Sequence, residues 1–253
     1  MKLFSRVLGQ GQPMIIMHGL FGMSDNWQSL AKQLSLFFEV HLLDLRNHGQ
    51  SPHSKEFTQQ LMASDLALYI SDNKLDDVIL VGHSLGGKVA MKFAVSHPLK
   101  LQKLVIVDIS PRYYPVHHDT IIQALVSLDF NEIKSRQQAN AQLSKLIHQE
   151  DMRQFLLKSI YWKQKGQLAL RFNLSSIAEN ISRIGEPLDQ QDTFSKPTLF
   201  LKGEYSDYII DDDEEVIFHH FPDASIETIR DSGHWLHAQN PKQFLDVVCR
   251  FCL

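Results

Sequence analysis

Six short segments of the chain are rich in β-branched and apolar residues, the first five as nearly continuous runs of four: Met14-Ile15-Ile16-Met17, Val40-His41-Leu42-Leu43, Val78-Ile79-Leu80-Val81, Leu104-Val105-Ile106-Val107, Thr198-Leu199-Phe200-Leu201 and Ala224–Ile229. Runs of this kind, rather than strict alternation, predict strands covered on both faces, as in a parallel sheet. Between them the period changes to that of a helix. Trp27, Leu30, Ala31 and Leu34 recur at helical spacing, Leu61–Ile70 repeats the pattern, and Leu85–Val95 follows the third run. Alternation of strand and helix predicts an α/β fold with a mostly parallel central sheet and right-handed crossovers. In such sheets functional groups collect in the loops beyond the C-terminal strand ends. Gly19, Asp44, Ser84, Asp108, Gly203 and His234 all fall there.

The rhythm breaks between Pro111 and Pro187. No strand is predicted in this stretch. Ile121–Phe130, Ile133–His148, Met152–Ile160 and Leu168–Ile184 read as successive helices. The expected organisation is therefore a core domain of residues 1–110 and 188–253, interrupted by a helical cap over residues 111–187. The acidic run Asp211–Glu215 reads as the first turn of a helix, where carboxylates complement the dipole. Consecutive carboxylates on a helix do not converge on one metal ion.

Composition narrows the function classes. Among 253 residues 43% are hydrophobic and 21% charged, which suits a globular chain rather than a disordered one. The net charge of −4 argues against a nucleic-acid partner, which calls for a basic surplus. No apolar run approaches the roughly 18–20 residues that span a bilayer. The start, Met1–Arg6, has no apolar stretch of the kind that makes a secretory signal, so a cytoplasmic location is expected. The two cysteines, Cys249 and Cys252, lie in a terminal helical pattern and read as ordinary helix residues, neither a disulfide nor a metal site.

The strongest chemical signal is Gly82-His83-Ser84-Leu85-Gly86, which matches G-x-S-x-G between a buried strand and a helix. A serine on so tight a turn is lifted clear of the sheet and set near a helix N-terminus, where free N–H groups favour negative charge. A serine hydroxyl is a weak nucleophile and needs a base and an orienting acid. His234, after the last predicted strand, is the candidate base, preferred over His237 three residues on. Two acids lie at the correct edge. Asp108 comes directly off a strand and is favoured. Asp207, in the loop after Gly203, remains the alternative. An oxyanion needs two preorganised N–H donors. The main chain of Leu85 supplies one, and Leu20, in the loop His18-Gly19-Leu20-Phe21-Gly22, the other. The polar loop Asp44–Pro52 reads as structural, with Asp44 and Arg46 holding neighbouring loops and Gly49 making a turn.

These motifs, with Gly233-His234-Trp235 and Val107-Asp108-Ile109-Ser110-Pro111, resemble the α/β-hydrolase superfamily, and within it the YbfF-type bacterial esterases and their eukaryotic relatives. The resemblance spans nearly the whole chain and is weakest in the cap. It implies a Ser-His-Asp hydrolase of carboxylic esters or acyl thioesters that needs no cofactor and acts on small molecules. It carries over to Ser84, His234, Leu20 and Leu85. In the wider superfamily the acid lies three residues after the glycine ending the penultimate strand. That position here is Ser206. The YbfF-type pattern also has serine there and implies use of the earlier aspartate, Asp108. The segment Arg171-Phe172-Asn173-Leu174 resembles part of the same esterases, which makes Arg171 a candidate contact for an anionic acyl or coenzyme A group. Two rival readings differ in class: carbon–carbon hydrolase, lyase or peroxidase chemistry on the same scaffold, and a non-catalytic ligand-binding module. Ester versus thioester preference, acyl length and oligomeric state are open at this level.

Overall fold

The computed structural model describes residues 1–116 and 118–253. In chain order the strands are β1 (Ser5–Leu8), β2 (Gln12–Met17), β3 (Phe38–Leu43), β4 (Val78–His83), β5 (Leu101–Val107), β6 (Ile160–Gln164), β7 (Gln167–Leu170), β8 (Thr198–Gly203) and β9 (Ala224–Ile229). The helices are α1 (Gln28–Leu34), α2 (Gln59–Asp72), α3 (Leu85–Ser96), α4 (Asp119–Val126), α5 (Arg136–Leu143), α6 (Glu150–Lys158), α7 (Leu174–Asn180), α8 (Asp213–His220), α9 (Leu236–Gln239) and α10 (Pro241–Cys252). Seven strands form one sheet in the order β1-β3-β2-β4-β5-β8-β9, and β6 and β7 pair separately. Every pairing in the large sheet is parallel except β1 with β3. All six predicted strands are present, and their C-terminal ends share one edge.

The apolar runs are continuous because each strand feeds two cores. Met14, Ile16, Ile79, Val81, Val105 and Val107 face one layer with Trp27 and the helices α1 and α10. Their neighbours Ile15, Met17, Leu80, Leu104 and Ile106 face the other, against α2, α3 and the insertion. Side chains alternate across a strand, so a strand buried on both faces has no polar position to spare. Helix starts follow the local chemistry. Thr58, Asn173 and Asn240 precede α2, α7 and α10, and each side chain accepts the backbone N–H three residues on. The acidic run opens α8, with Asp213, Glu214 and Glu215 in its first turn. Cys249 and Cys252 lie in α10 as free thiols.

Two expectations need correction. The edge strand β1 was not predicted: its residues are mostly half-buried, and an edge strand of four residues carries little apolar signal. The insertion is not all helical. Residues 160–170 form the hairpin β6–β7 around Gly166, whose φ is +81°. This replaces the end of one predicted helix and the start of another. Ile160-Tyr161-Trp162 is rich in strand-forming residues, and Lys165-Gly166 suits a tight turn, so local preference won over an assumed helical period. The insertion is otherwise α4 to α7. Among the described residues no helix is long and apolar enough to cross a membrane.

Candidate active site

Ser84 sits where β4 turns into α3, with φ +51° and ψ −116°. A non-glycine residue held there stores about 1–3 kcal/mol of backbone strain, and the surroundings must enforce it. They do so by crowding. A Cβ on Gly82 would lie 2.3 Å from the carbonyl oxygen of Gly86, and one on Gly86 would lie 2.5 Å from that of Met17. The Ser84 N–H is tied to the Val107 carbonyl at 3.0 Å. The hydroxyl itself has no hydrogen-bond partner among the described residues, and Ser84 is partly exposed.

Asp108 leaves β5 with φ +52° and is fully buried. Its Oδ2 accepts the Nδ1–H of His234 at 2.7 Å, and its Oδ1 accepts the N–H of Gly203 at 3.0 Å. The Ser206 hydroxyl also donates to Oδ2. Three donors thus hold one buried carboxylate, the condition under which burying a charge is tolerable. Asp207 is exposed and makes no contact with His234. The Nδ1–H bond leaves the Nε2 of His234 as the unprotonated nitrogen. Below the imidazole, the Tyr208 ring stacks at 3.8 Å and 18°. The His234 carbonyl accepts the Nε2–H of His83 at 2.8 Å. His237, the other sequence candidate, is buried flat against Trp27 at 4.1 Å, and burial holds its pKa down at about 3.

The loop after β2 is fixed by two buried histidines. His18 Nδ1–H donates to the Gly19 carbonyl at 2.8 Å while its Nε2 accepts from the Leu45 N–H at 3.1 Å. His48 Nδ1–H donates to the Arg46 carbonyl, and its Nε2 accepts the Phe21 N–H at 3.1 Å. Burial lowers their pKa values to about 4 and about 3, so both stay neutral and keep these tautomers. Phe21 is thereby locked at φ +62°. The Leu20 N–H, and the Leu85 N–H at the start of α3, have no acceptor among the described residues. Gly19 is needed here, because a Cβ would lie 2.9 Å from His83 and 3.2 Å from the Ser84 Cβ. The Asp44–Pro52 loop is structural as expected. Asp44 accepts the N–H groups of Ser24 and Gln50, and Arg46 grips Asp65 of α2 through two bonds of 2.6 and 2.9 Å.

Leu20, Ser84, His118 and Tyr208 line two adjoining cavities. One, of about 50 Å³, includes His234, Trp235 and Phe155. The other, of about 40 Å³, includes Leu85, Lys88, Tyr114 and Ile184. A larger space of about 270 Å³ is bordered by Gly19, His83, Phe155 and Trp235, which also border the first. Leu20, Ser84, Leu85, Asp108 and His234 are thus brought together at one edge. Arg171 is not among the residues lining these spaces. Its guanidinium lies 3.9 Å above the Tyr161 ring in the hairpin. Ser206 was noted in the sequence only as the place where an acid is missing. Tyr208 carried no sequence signal, since it reaches His234 only through folding of the loop after β8. Among the described residues no cluster of His, Cys, Asp or Glu is suited to a metal ion.

Comparison with known proteins agrees with this architecture. The family model for the alpha/beta hydrolase fold matches residues 12–160. A zebrafish (Danio rerio) sn-1-specific diacylglycerol lipase, ABHD11, is 39% identical over 251 residues, covering 96% of this chain and 79% of that protein. Esterase YbfF of Escherichia coli K12 is 32% identical, covering 94% of this chain and 92% of its own. A solved marine microorganism esterase is 44% identical and superposes with a TM-score of 0.96 over 99% of both chains. The chain belongs to the alpha/beta hydrolase fold family, within its group of esterases and lipases.

Proposed function

We propose that the protein is a serine hydrolase that cleaves carboxylic esters or acyl thioesters in two steps through Ser84, His234 and Asp108. Ser84 Oγ attacks the substrate carbonyl carbon while His234 Nε2 takes the hydroxyl proton. The oxyanion is held by the N–H groups of Leu20 and Leu85, a contribution of several kcal/mol. Asp108 keeps the imidazole in its working tautomer and stabilises its cationic form. His234 then protonates the departing alcohol or thiol, leaving an acyl-enzyme on Ser84. Water, deprotonated by His234, attacks that acyl group, and the acid and the free serine are restored.

The observation that carries this reading is the 2.7 Å bond from His234 Nδ1 to the buried Asp108, at the edge where Ser84 and His234 line one cavity. The division into a core of residues 1–110 and 188–253 with an insertion of 111–187 belongs to the same reading. It is supported by the touching crossings, where Leu188 N–H donates to the Pro111 carbonyl at 3.2 Å. We further infer a cytoplasmic setting, in keeping with the two free thiols. Hydrolysis of p-nitrophenyl butyrate tests the function. Wild type releases a burst of nitrophenol equal to the enzyme present, and Ser84→Ala loses at least about 10⁴-fold of the turnover. Activity of Ser84→Ala within tenfold of wild type would refute the mechanism.

A further inference from the structure

Lys88 is a lysine the proposed mechanism does not use. It lies on α3 one turn beyond Ser84, and its own N–H bonds the Ser84 carbonyl at 3.0 Å. It is only 3% exposed. The ammonium donates to the carbonyl oxygens of Arg112 and Glu186, the latter at 3.2 Å, and lies 4.9 Å from the centre of the Tyr114 ring. Among the described residues no carboxylate bonds it. Burial, reinforced by the Arg112 guanidinium and opposed by Asp213, lowers its pKa to about 7. The neutral amine keeps two N–H donors, so both carbonyl bonds survive deprotonation.

The two carbonyls belong to different crossings between the sheet and the insertion. Arg112 is on the outgoing segment and Glu186 on the returning one. The segments run side by side: Tyr114 N–H donates to the Gly185 carbonyl at 2.8 Å, and a Cβ on Gly185 would lie 2.0 Å from the Tyr114 carbonyl oxygen. These same segments are the walls of the 40 Å³ cavity beside Ser84. Tyr114, Pro115 and Val116 come from one, Ile184 and Gly185 from the other, and Lys88 lies between them. At about 40 Å³ this cavity is small beside the neighbouring 270 Å³ space, so it suits a short chain. A charged or strongly polar amine at its wall also disfavours apolar chain atoms beside it.

We propose that Lys88 is a specificity-determining residue that clamps the two crossings together and so limits the acyl cavity beside Ser84 to short acyl groups, from acetyl to about butyryl. The inference rests on Ser84 being the acylated residue. It goes further in assigning acyl length to a side chain outside the reacting groups.

The test is the ratio of kcat/KM for p-nitrophenyl octanoate to that for the acetate, measured on the full chain. Wild type favours acetate by more than tenfold. Lys88→Met, which keeps the apolar length and removes the donors, raises the octanoate-to-acetate ratio at least tenfold, mainly through a lower KM for octanoate. Gln59→Leu is the control for general loosening. Gln59 Nε2 also donates to Ile184 and Glu186 carbonyls, at 2.9 and 3.0 Å, but does not line the cavity. That variant leaves the ratio within twofold. Lys88→Gln, with a shorter reach, gives the same direction of change and serves if the methionine variant does not fold. Wild type favouring octanoate, a Lys88 ratio within twofold of wild type, or an equal shift in Gln59→Leu would each overturn the assignment. The burst on Ser84 with acetate separates the two claims. A burst with an unchanged ratio sinks only the role of Lys88, whereas no burst with any ester sinks the hydrolase reading itself.

Discussion

The loops at the sheet edge and the insertion above them are held by opposite means. At the edge, polar groups are buried and bonded one to one: Asp108 by three donors, His18 and His48 each by two partners, Arg46 by Asp65. Five of the seven described non-glycine residues with positive φ lie in these loops: Phe21, Asn47, Ser84, Asp108 and Asp231. The insertion is held mainly by apolar packing: Ala124, Leu143, Leu156 and Ile177 are buried in the core it shares with α2 and α3. Its hairpin carries an exposed Trp162, and its bonds to the rest run to loops and helices beside the sheet, as from Asn173 and Ser176 to the Asn47 loop and from Lys88 and Gln59 to the returning crossing. Strain and buried polarity are tolerable where neighbours over-determine every group. The contrast assigns reactivity to the edge and selectivity to the insertion.

The sharpest way to break that contrast is to weaken the edge at its acid. Asp108→Asn is expected to lower kcat by about 10⁴-fold with the fold intact, because the amide no longer holds His234 in its working tautomer. Asp207→Asn should stay within twofold of wild type. Steady-state kinetics of the pair check this, and the reverse order would move the acid to the later loop. A smaller effect is expected one step away from the reacting groups. His48→Leu removes the acceptor that locks Phe21, and with it the placement of the Leu20 N–H. The expected cost is about 10–100-fold in kcat with KM little changed, less than the loss of an oxyanion donor outright.

Acid should damage the edge before the insertion. An unfolded histidine binds its proton near pH 6.5, whereas burial keeps His18 near 4 and His48 and His237 near 3. Above pH 7 folded and unfolded chains are alike in this respect, and no stability is at stake. As pH falls through 6.5 the unfolded chain takes up protons that the folded one refuses. Stability therefore declines from about pH 6.5 down to about 3–4, then levels off for these groups. Thermal melts should show Tm dropping by on the order of 10 °C between pH 7 and pH 4.5, with a shallower slope in His48→Leu. The mildest change is in the hairpin. Arg171→Ala removes a cation–π contact worth about 0.5–1 kcal/mol, so Tm should fall by only about 2 °C, with rates on neutral and anionic esters unchanged relative to each other. A selective loss on anionic esters would return Arg171 to the substrate.

The same contrast governs what could be read from the sequence. The elbow was legible because close backbone contact admits only glycine at residues 82 and 86, and that constraint is written in residue types. Five of the six predicted strands were legible because two-sided burial leaves continuous apolar runs, whereas β9, half-buried at the sheet edge, carries polar residues at half its positions. The acid could be narrowed to Asp108 or Asp207 but not chosen from residue type alone, since the choice depends on which loop folds back over β5. The N–H donors were inferable from loop position, whereas the histidines that fix the loop were not, because His48 meets Phe21 only across 27 residues of chain. The hairpin β6–β7 and the partners of Arg171 and Lys88 were missed for a related reason. Half-exposed elements and side chains that bond carbonyls obey weak or non-local rules, so residue type says little about where they go.

In the proposed reaction Ser84 forms the covalent bond while the main chain of Leu20 and Leu85 receives the charge. A crystal structure of the enzyme inhibited with a small fluorophosphonate tests it directly. The expected result is phosphorus bonded to Ser84 Oγ, with its phosphoryl oxygen within about 3.1 Å of both N–H groups and His234 Nε2 facing the serine oxygen. Phosphorus on any other residue, or a phosphoryl oxygen turned away from both donors, would contradict it.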